Sequence, residues 1–266
     1  MKTLVLHSTK GGVGKSFLAQ NLSYGLARLG KRVLAIDLDQ QGNLTSSLLG
    51  KQVEENIASF FTGQKYLENL IQPALPQWGG LSVLPGGVQL VTAVKWLLVN
   101  EAETPGQEIL LAESLQAFRN DFDYCVIDCP PSRDKLVFSA FAAADRIYTP
   151  CTPSLYDSDG MVSTAKLAGI IASRLSRPCR LGGVILNRWG RDRLAKDIHK
   201  QLTTAFPSLV CRSVVPDSVR AREAITARIP LVSHQPALGT AIAESINNLT
   251  LEIMSHGSEN RLTSAA

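Results

Sequence analysis

No run of apolar residues in this 266-residue chain approaches the roughly 18 needed to cross a bilayer, so a membrane-spanning helix is not expected. The opening Met1-Lys2-Thr3 leads into an apolar stretch of only a few residues with no cleavage-site pattern, so no secretory leader is expected either. Cysteine is sparse and odd in number: Cys125, Cys129, Cys151, Cys179 and Cys211 form no C-x-x-C pair, which fits a reduced, cytosolic protein. Internal repeats and low-complexity linkers are also missing. One domain over residues 1–255 is expected, with 256–266 as a flexible tail.

What is present is an alternation. Short apolar, β-branched runs at Leu4–Ser8, Arg32–Asp37, Leu81–Pro85, Tyr124–Asp128, Arg146–Pro150 and Leu181–Leu186 read as strands, with Val210–Pro216 as a last candidate. Near-continuous apolar strands imply burial on both faces, hence a doubly wound, mostly parallel α/β sheet with helices on either side. Leu18, Leu22, Leu26 and Leu29 recur at helical spacing, with Gly30 as a stop. Ala237–Met254 reads as a terminal helix. Gln52–Gly80 is least legible, with short helices broken by Pro73 and Pro76.

The stretch Gly11-Gly12-Val13-Gly14-Lys15-Ser16 follows a strand and opens a helix, the context that makes a glycine loop a phosphate-binding element. Glycines let backbone N–H groups converge on an anion, and the helix N-terminus adds the positive end of its dipole. Lys15 would neutralise the terminal phosphates and the Ser16 hydroxyl would ligate magnesium. Asp128 ends a buried strand before Pro130 and Pro131, as a magnesium-supporting carboxylate is presented at a sheet edge. Asp37 ends another, and Asp39 in the following loop is placed to orient or deprotonate a water; a turn-forming aspartate fits the same spacing.

Taken in order, KGGVGKS, DLDQQGN and VIDCPPS resemble the deviant Walker-A P-loop ATPases of the ParA/MinD family, and VILNR and VVPDSVRAREA extend the likeness over most of the chain outside Gln52–Gly80. The resemblance implies ATP and Mg²⁺ as cofactors. It further implies a homodimer closing over two nucleotides, with Lys10 reaching the phosphates held by the other subunit. Gly11 to Phe17 would then hold the nucleotide, Ser16, Asp39 and Asp128 the metal, and Lys10, Lys15 and Asp39 would act in hydrolysis. Asn187 would read the adenine edge, with Arg188 and Pro216 beside the base. Three positions depart from the family pattern: Phe17 in place of a hydroxyl residue, Gln40 in place of a proline, and PSRDKL without a glycine-rich step.

Charge separates the branches of that family. Residues 174–228 hold 12 Lys/Arg against 4 Asp/Glu, a local +8 in a chain of +4 overall. A solvated, arginine-rich surface would account for that alone. The resemblance to the ParA branch implies instead non-specific duplex DNA binding, through Arg191, Arg193, Lys196 and Lys200 on one helix and Arg220 and Arg222 on the next. The absence of interleaved aromatics argues against single-strand stacking. A ParB-like adaptor would stimulate hydrolysis, and a nucleoid-associated, cytoplasmic location would follow. Little precedes the first strand, so direct operator binding is not expected. The alternative is a MinD/BcsQ-like membrane-associated regulator, but the chain's end lacks a basic amphipathic helix. The two lysines separate by phenotype: Lys15→Ala is expected to lose nucleotide binding in a fluorescent-nucleotide titration. Lys10→Ala is expected to keep it and lose hydrolysis; equal loss of affinity in both would contradict a role in trans.

Overall fold

A computed structural model describes residues 1–102, 106–154, 157–175 and 179–256. The expected tail, apart from His256, and Arg177 of the basic stretch lie outside them. Seven strands form one sheet: β1 (Lys2–Leu6), β2 (Val33–Asp37), β3 (Gln72–Pro73), β4 (Ser82–Leu84), β5 (Tyr124–Asp128), β6 (Arg146–Cys151) and β7 (Leu181–Leu186). Their order is β3-β4-β2-β5-β1-β6-β7, parallel throughout except for β3. Ten helices are described: α1 (Lys15–Arg28), α2 (Asn43–Leu49), α3 (Ala58–Phe61), α4 (Leu90–Val99), α5 (Leu110–Ser114), α6 (Lys135–Ala143), α7 (Asp157–Leu175), α8 (Arg193–Ala205), α9 (Val219–Ala227) and α10 (Ala241–His256).

The period-2 geometry of the strands sorts their side chains into two cores. Leu4, Leu6, Val33, Ala35, Tyr124 and Val126 face one side and pack with Leu18, Leu22 and Leu26 of α1 and Ile246 and Leu249 of α10. Val5, Leu34, Ile36, Cys125 and Ile127 face the other, against Leu97, Leu111, Phe141 and Leu167. This is why these strands read as unbroken apolar runs: neither face meets water. Full burial of one such aliphatic side chain contributes on the order of 2 kcal/mol. Four of the five cysteines are buried, and burial pushes the Cys125, Cys129 and Cys211 thiols up, as for small inert hydrophobes.

Three expectations need correction. Val210–Pro216 is no strand; it makes isolated bridges, Val210 to Val184 and Pro216 to Trp189. Between them the N–H groups of Arg212 and Ser213 donate to the Glu252 carboxylate of α10 at 2.7 and 2.9 Å, so those backbone donors never reach a ladder. The terminal helix begins at Ala241 and not Ala237, because a short 3-10 turn over Gln235–Ala237 and Gly239, at φ +69°, precede it. Leu29 lies past the end of α1 and is exposed. In the illegible region, Pro73 sits on the two-residue antiparallel edge strand β3, where a missing N–H costs no central ladder bond.

In the first of the two cores α1 approaches α10 closely at Gly25. A Cβ there would lie 2.5 Å from Thr250 Oγ1 and 3.0 Å from its Cγ2. Gly25→Ala is therefore expected to destabilise the fold by about 1–3 kcal/mol, overriding a propensity gain of about 1 kcal/mol. Adding Thr250→Ala is expected to recover most of that loss in urea denaturation. A single Gly25→Ala variant as stable as the parent would contradict the close packing.

Candidate nucleotide-binding site

The glycine loop between β1 and α1 adopts conformations that only glycine takes easily. Gly12 and Gly14 have φ of +76° and +89°, and Gly14 caps α1 with no side-chain hydrogen bond. The first N–H groups of α1 thus converge, unclaimed by any side-chain cap, on the space before the loop. Two residues from the far end of β7 brace it from behind. Asn187, buried, donates from Nδ2 to Val13 O at 2.7 Å, and Arg188 donates from Nη1 to Gly12 O at 3.3 Å. A Cβ on Gly14 would collide with Asn187 Nδ2, so the loop's third glycine is required by space as well as by φ.

In front of the loop lies a cleft of about 780 Å³, a size that suits a nucleotide. Of the residues anticipated from sequence, Gly11, Gly12, Gly14, Lys15, Ser16, Phe17, Asp39, Asn187, Arg188 and Pro216 line it. Val13 instead turns its side chain into the interior. Lys15 is buried, its Nζ donating to Lys10 O at 3.4 Å. Lys10 points elsewhere: its Nζ donates to Ser154 Oγ at 3.2 Å, outside the cleft lining.

Beneath the loop two carboxylates stand side by side. Asp37 and Asp128 are in register on β2 and β5, and both are wholly buried. Asp37 is held by three donors: Asp39 N at 3.0 Å, and Thr45 N and Oγ1 at 2.8 Å each. Burial nonetheless pushes it up to about 6, helped by the negative charge of Asp39. Asp128 has no hydrogen-bond partner on either oxygen. Burial and the neighbouring Asp37 raise it well above the usual carboxylate range, while Ser16 and Lys15 pull it back. An orphaned buried carboxylate next to a hydroxyl is what a hard cation can satisfy. Among the described residues no group of three or more His, Cys, Asp or Glu forms a metal cage. Magnesium needs no such cage, since it keeps several waters and takes one or two carboxylates plus phosphate oxygens.

Several site features escaped the sequence reading. Asp37 fixes the backbone of Asp39, and Thr45 Oγ1 in turn accepts from Gly86 N at 2.9 Å. Arg222, assigned from sequence to a DNA face, lines the cleft together with Ala221 and Ile225 of α9, and pairs with Asp217 at 3.8 Å. Asp217 also meets Arg188 at 3.7 Å. Arg191 is not on α8: Asp192 caps that helix by accepting from Ala195 N, so the helix begins at Arg193. Arg191, Arg193, Lys196, Lys200 and Arg220 are exposed and stand outside the cleft lining.

A protein-family model described as an AAA domain matches residues 1–177. The chromosome-partitioning ATPase Soj of Thermus thermophilus is 32% identical over 260 residues, 97% of this chain and 98% of that protein. The sporulation initiation inhibitor Soj of Bacillus subtilis is 29% identical over 259 residues, 96% of this chain and 99% of that protein. Among solved structures, apo McdA of Cyanothece matches with a TM-score of 0.82 at 24% identity, over 96% of this chain and 99% of that one, a likeness of fold. This chain is an ATPase of the ParA/MinD family, on its ParA branch. Two of its departures from the family pattern, Phe17 and Gln40, line the ATPase cleft itself. Among the described residues of this ParA-branch chain no helix is long and apolar enough to cross a membrane.

The carboxylate pair gives a pH signature. Asp37, raised to about 6, holds a proton in the unliganded protein below that pH, and a cation beside the pair must displace it. Magnesium-nucleotide affinity is therefore expected to fall progressively as pH drops and protons return to Asp128 and Asp37. Calorimetry in buffers of different ionisation enthalpy is expected to report proton release on binding that grows as pH falls. A pH-independent affinity would contradict proton uptake by the carboxylate pair.

Proposed function

We propose that this ParA-branch ATPase dimerises on ATP, that the dimer binds duplex DNA without sequence preference, and that a ParB-like adaptor stimulates hydrolysis and release. Such a cycle positions a plasmid, a chromosome or another large cargo along the nucleoid in the cytoplasm. The observation that carries the reading is the division of labour between two lysines of one loop. Lys15 is buried over the phosphate cradle, whereas the Lys10 ammonium rests on Ser154 outside the cleft lining. A cation so placed adds little to phosphates held in its own cleft and is suited to offset those of a facing copy.

Within the cleft the roles follow from position. The loop amides and Lys15 hold the β- and γ-phosphates. Ser16 and Asp128 would hold magnesium, with Asp39 near it; the ion supplies charge neutralisation of the phosphate oxygens. Asp39, its backbone pinned by Asp37 and its Oδ1 accepting from Gln41 N at 3.0 Å, orients the attacking water. Asn187, Arg188 and Pro216 line the cleft together and would face the base. The Asn187 amide N–H is already donated to Val13, leaving its Oδ1 to accept from the adenine amino group.

The DNA face rests on Arg191, Arg193, Lys196, Lys200 and Arg220, all exposed, with Arg222 serving the cleft rim as well. Arg193 pairs with Asp197 at 3.7 Å and Arg220 with Glu223 at 2.8 Å; exposed pairs of this kind are weak and yield to a phosphate. Shift binding to random duplex DNA is expected to require ATP and to weaken steeply with salt. Replacing Lys196 with Ala is expected to reduce the slope of log K against log salt by about 1. Equal binding with ATP and ADP, or no dependence on salt, would overturn the DNA assignment. ATP-dependent sedimentation with liposomes would point to the membrane-associated alternative.

A further inference from the structure

The residue that joins the phosphate loop to the loop beyond Asp128 is a buried histidine. His7 follows β1, three residues before Lys10, and has no exposed surface. Its ring stands edge-on to Phe141 of α6 at 5.1 Å. Both ring nitrogens are engaged across long stretches of chain: Nε2 with Ser132 O at 3.1 Å, and Nδ1 with Thr164 Oγ1 of α7 at 3.1 Å. A carbonyl only accepts, so the proton is assigned to Nε2, and Nδ1 then accepts from the Thr164 hydroxyl. That hydroxyl also lies 2.9 Å from Gly160 O, so one proton serves two acceptors. Burial holds the ring neutral, at about 4, and the nearby Lys15 and Arg133 charges act in the same direction.

Each partner leads to a working element. Ser132 lies four residues past Asp128, and its own hydroxyl donates to Asp134 Oδ2 at 2.8 Å; Asp134 caps α6 through Leu136 N and Val137 N. Thr164 and Gly160 belong to the opening turns of α7, which pack on the same loop, since a Cβ on Gly160 would meet Ser8 Oγ at 3.4 Å. Ser154, the partner of the Lys10 ammonium, precedes α7 in the sequence. One imidazole thus contacts both the loop that follows the buried carboxylate and the opening turns of α7.

We propose that His7 is a positioning residue for hydrolysis: bridging Ser132 and Thr164, it holds the 129–134 loop and the start of α7 in register with the phosphate loop. This rests on the ATPase reading above. His7 stands away from the cleft lining, so its removal acts on turnover more than on nucleotide affinity.

The test compares wild type with His7→Ala, His7→Gln and Thr164→Val, measuring ATP affinity, single-turnover hydrolysis and amide exchange of residues 129–134 in the unliganded protein. For His7→Ala, affinity is expected within about threefold of wild type, while hydrolysis falls at least about tenfold and exchange quickens. Gln keeps a donor at the reach of Nε2 and is expected to restore part of the rate. Thr164→Val, nearly isosteric, is expected to fall between Ala and wild type. Unchanged turnover in His7→Ala, loss of affinity in proportion to turnover, or a Gln variant no better than Ala would overturn the proposal. Should wild type fail to hydrolyse ATP at all, the ATPase reading falls, and exchange decides the tie by itself. Faster exchange in His7→Ala upholds the tie, and unchanged exchange overturns it.

Discussion

Two carboxylates buried side by side at the carboxyl ends of neighbouring strands are the constraint to which this end of the molecule answers. Asp37 and Asp128 cannot both ionise without help in so dry a place. Asp37 gets that help from three donors of the protein itself, and it repays them structurally by fixing the Asp39 backbone. Asp128 has no donor in good hydrogen-bond geometry, and only the nearby Ser16 hydroxyl and Lys15 charge favour its ionised form. One carboxylate is therefore a built part of the scaffold, and its neighbour has the character of a group that a hard cation can satisfy. Burying a carboxylate with so little support is costly, and such groups cluster at functional sites.

The loop that faces this well is held open by tertiary contacts more than by its own sequence. Its glycines permit the turn, but the turn is fixed by Asn187 and Arg188 from the other half of the sheet and sealed behind by Val13. Arg188 itself takes a left-handed conformation, φ +54°, to reach Gly12. The Asp217 carboxylate then joins Arg188 to Arg222 on α9. The basic C-terminal stretch is thereby joined to the glycine loop through one shared carboxylate and Arg188.

Much of this was legible because it is local. Glycines at fixed spacing before Lys15 and Ser16, and aspartates ending apolar strands, carry their chemistry within a few residues. The two-faced burial of β1, β2 and β5 likewise shows in their unbroken apolar runs. The Asp192 cap was also readable in principle, as an aspartate before a periodic stretch, and it would have kept Arg191 off the helix. What was not legible joins distant segments: Glu252 taking the backbone donors of Arg212 and Ser213, Thr45 serving both Asp37 and Gly86, Arg222 turning into the cleft, His7 spanning to Ser132 and Thr164. Each depends on which elements meet, and no pattern within either segment encodes it.

The Asp128 well is tested most directly by ATP affinity measured in magnesium and in EDTA, for wild type and for Asp128→Asn. A well completed by the cation predicts that wild type binds ATP at least about tenfold more tightly with magnesium, and that the variant loses most of this gain. A variant that keeps the whole magnesium gain would contradict the assignment of Asp128 to the metal.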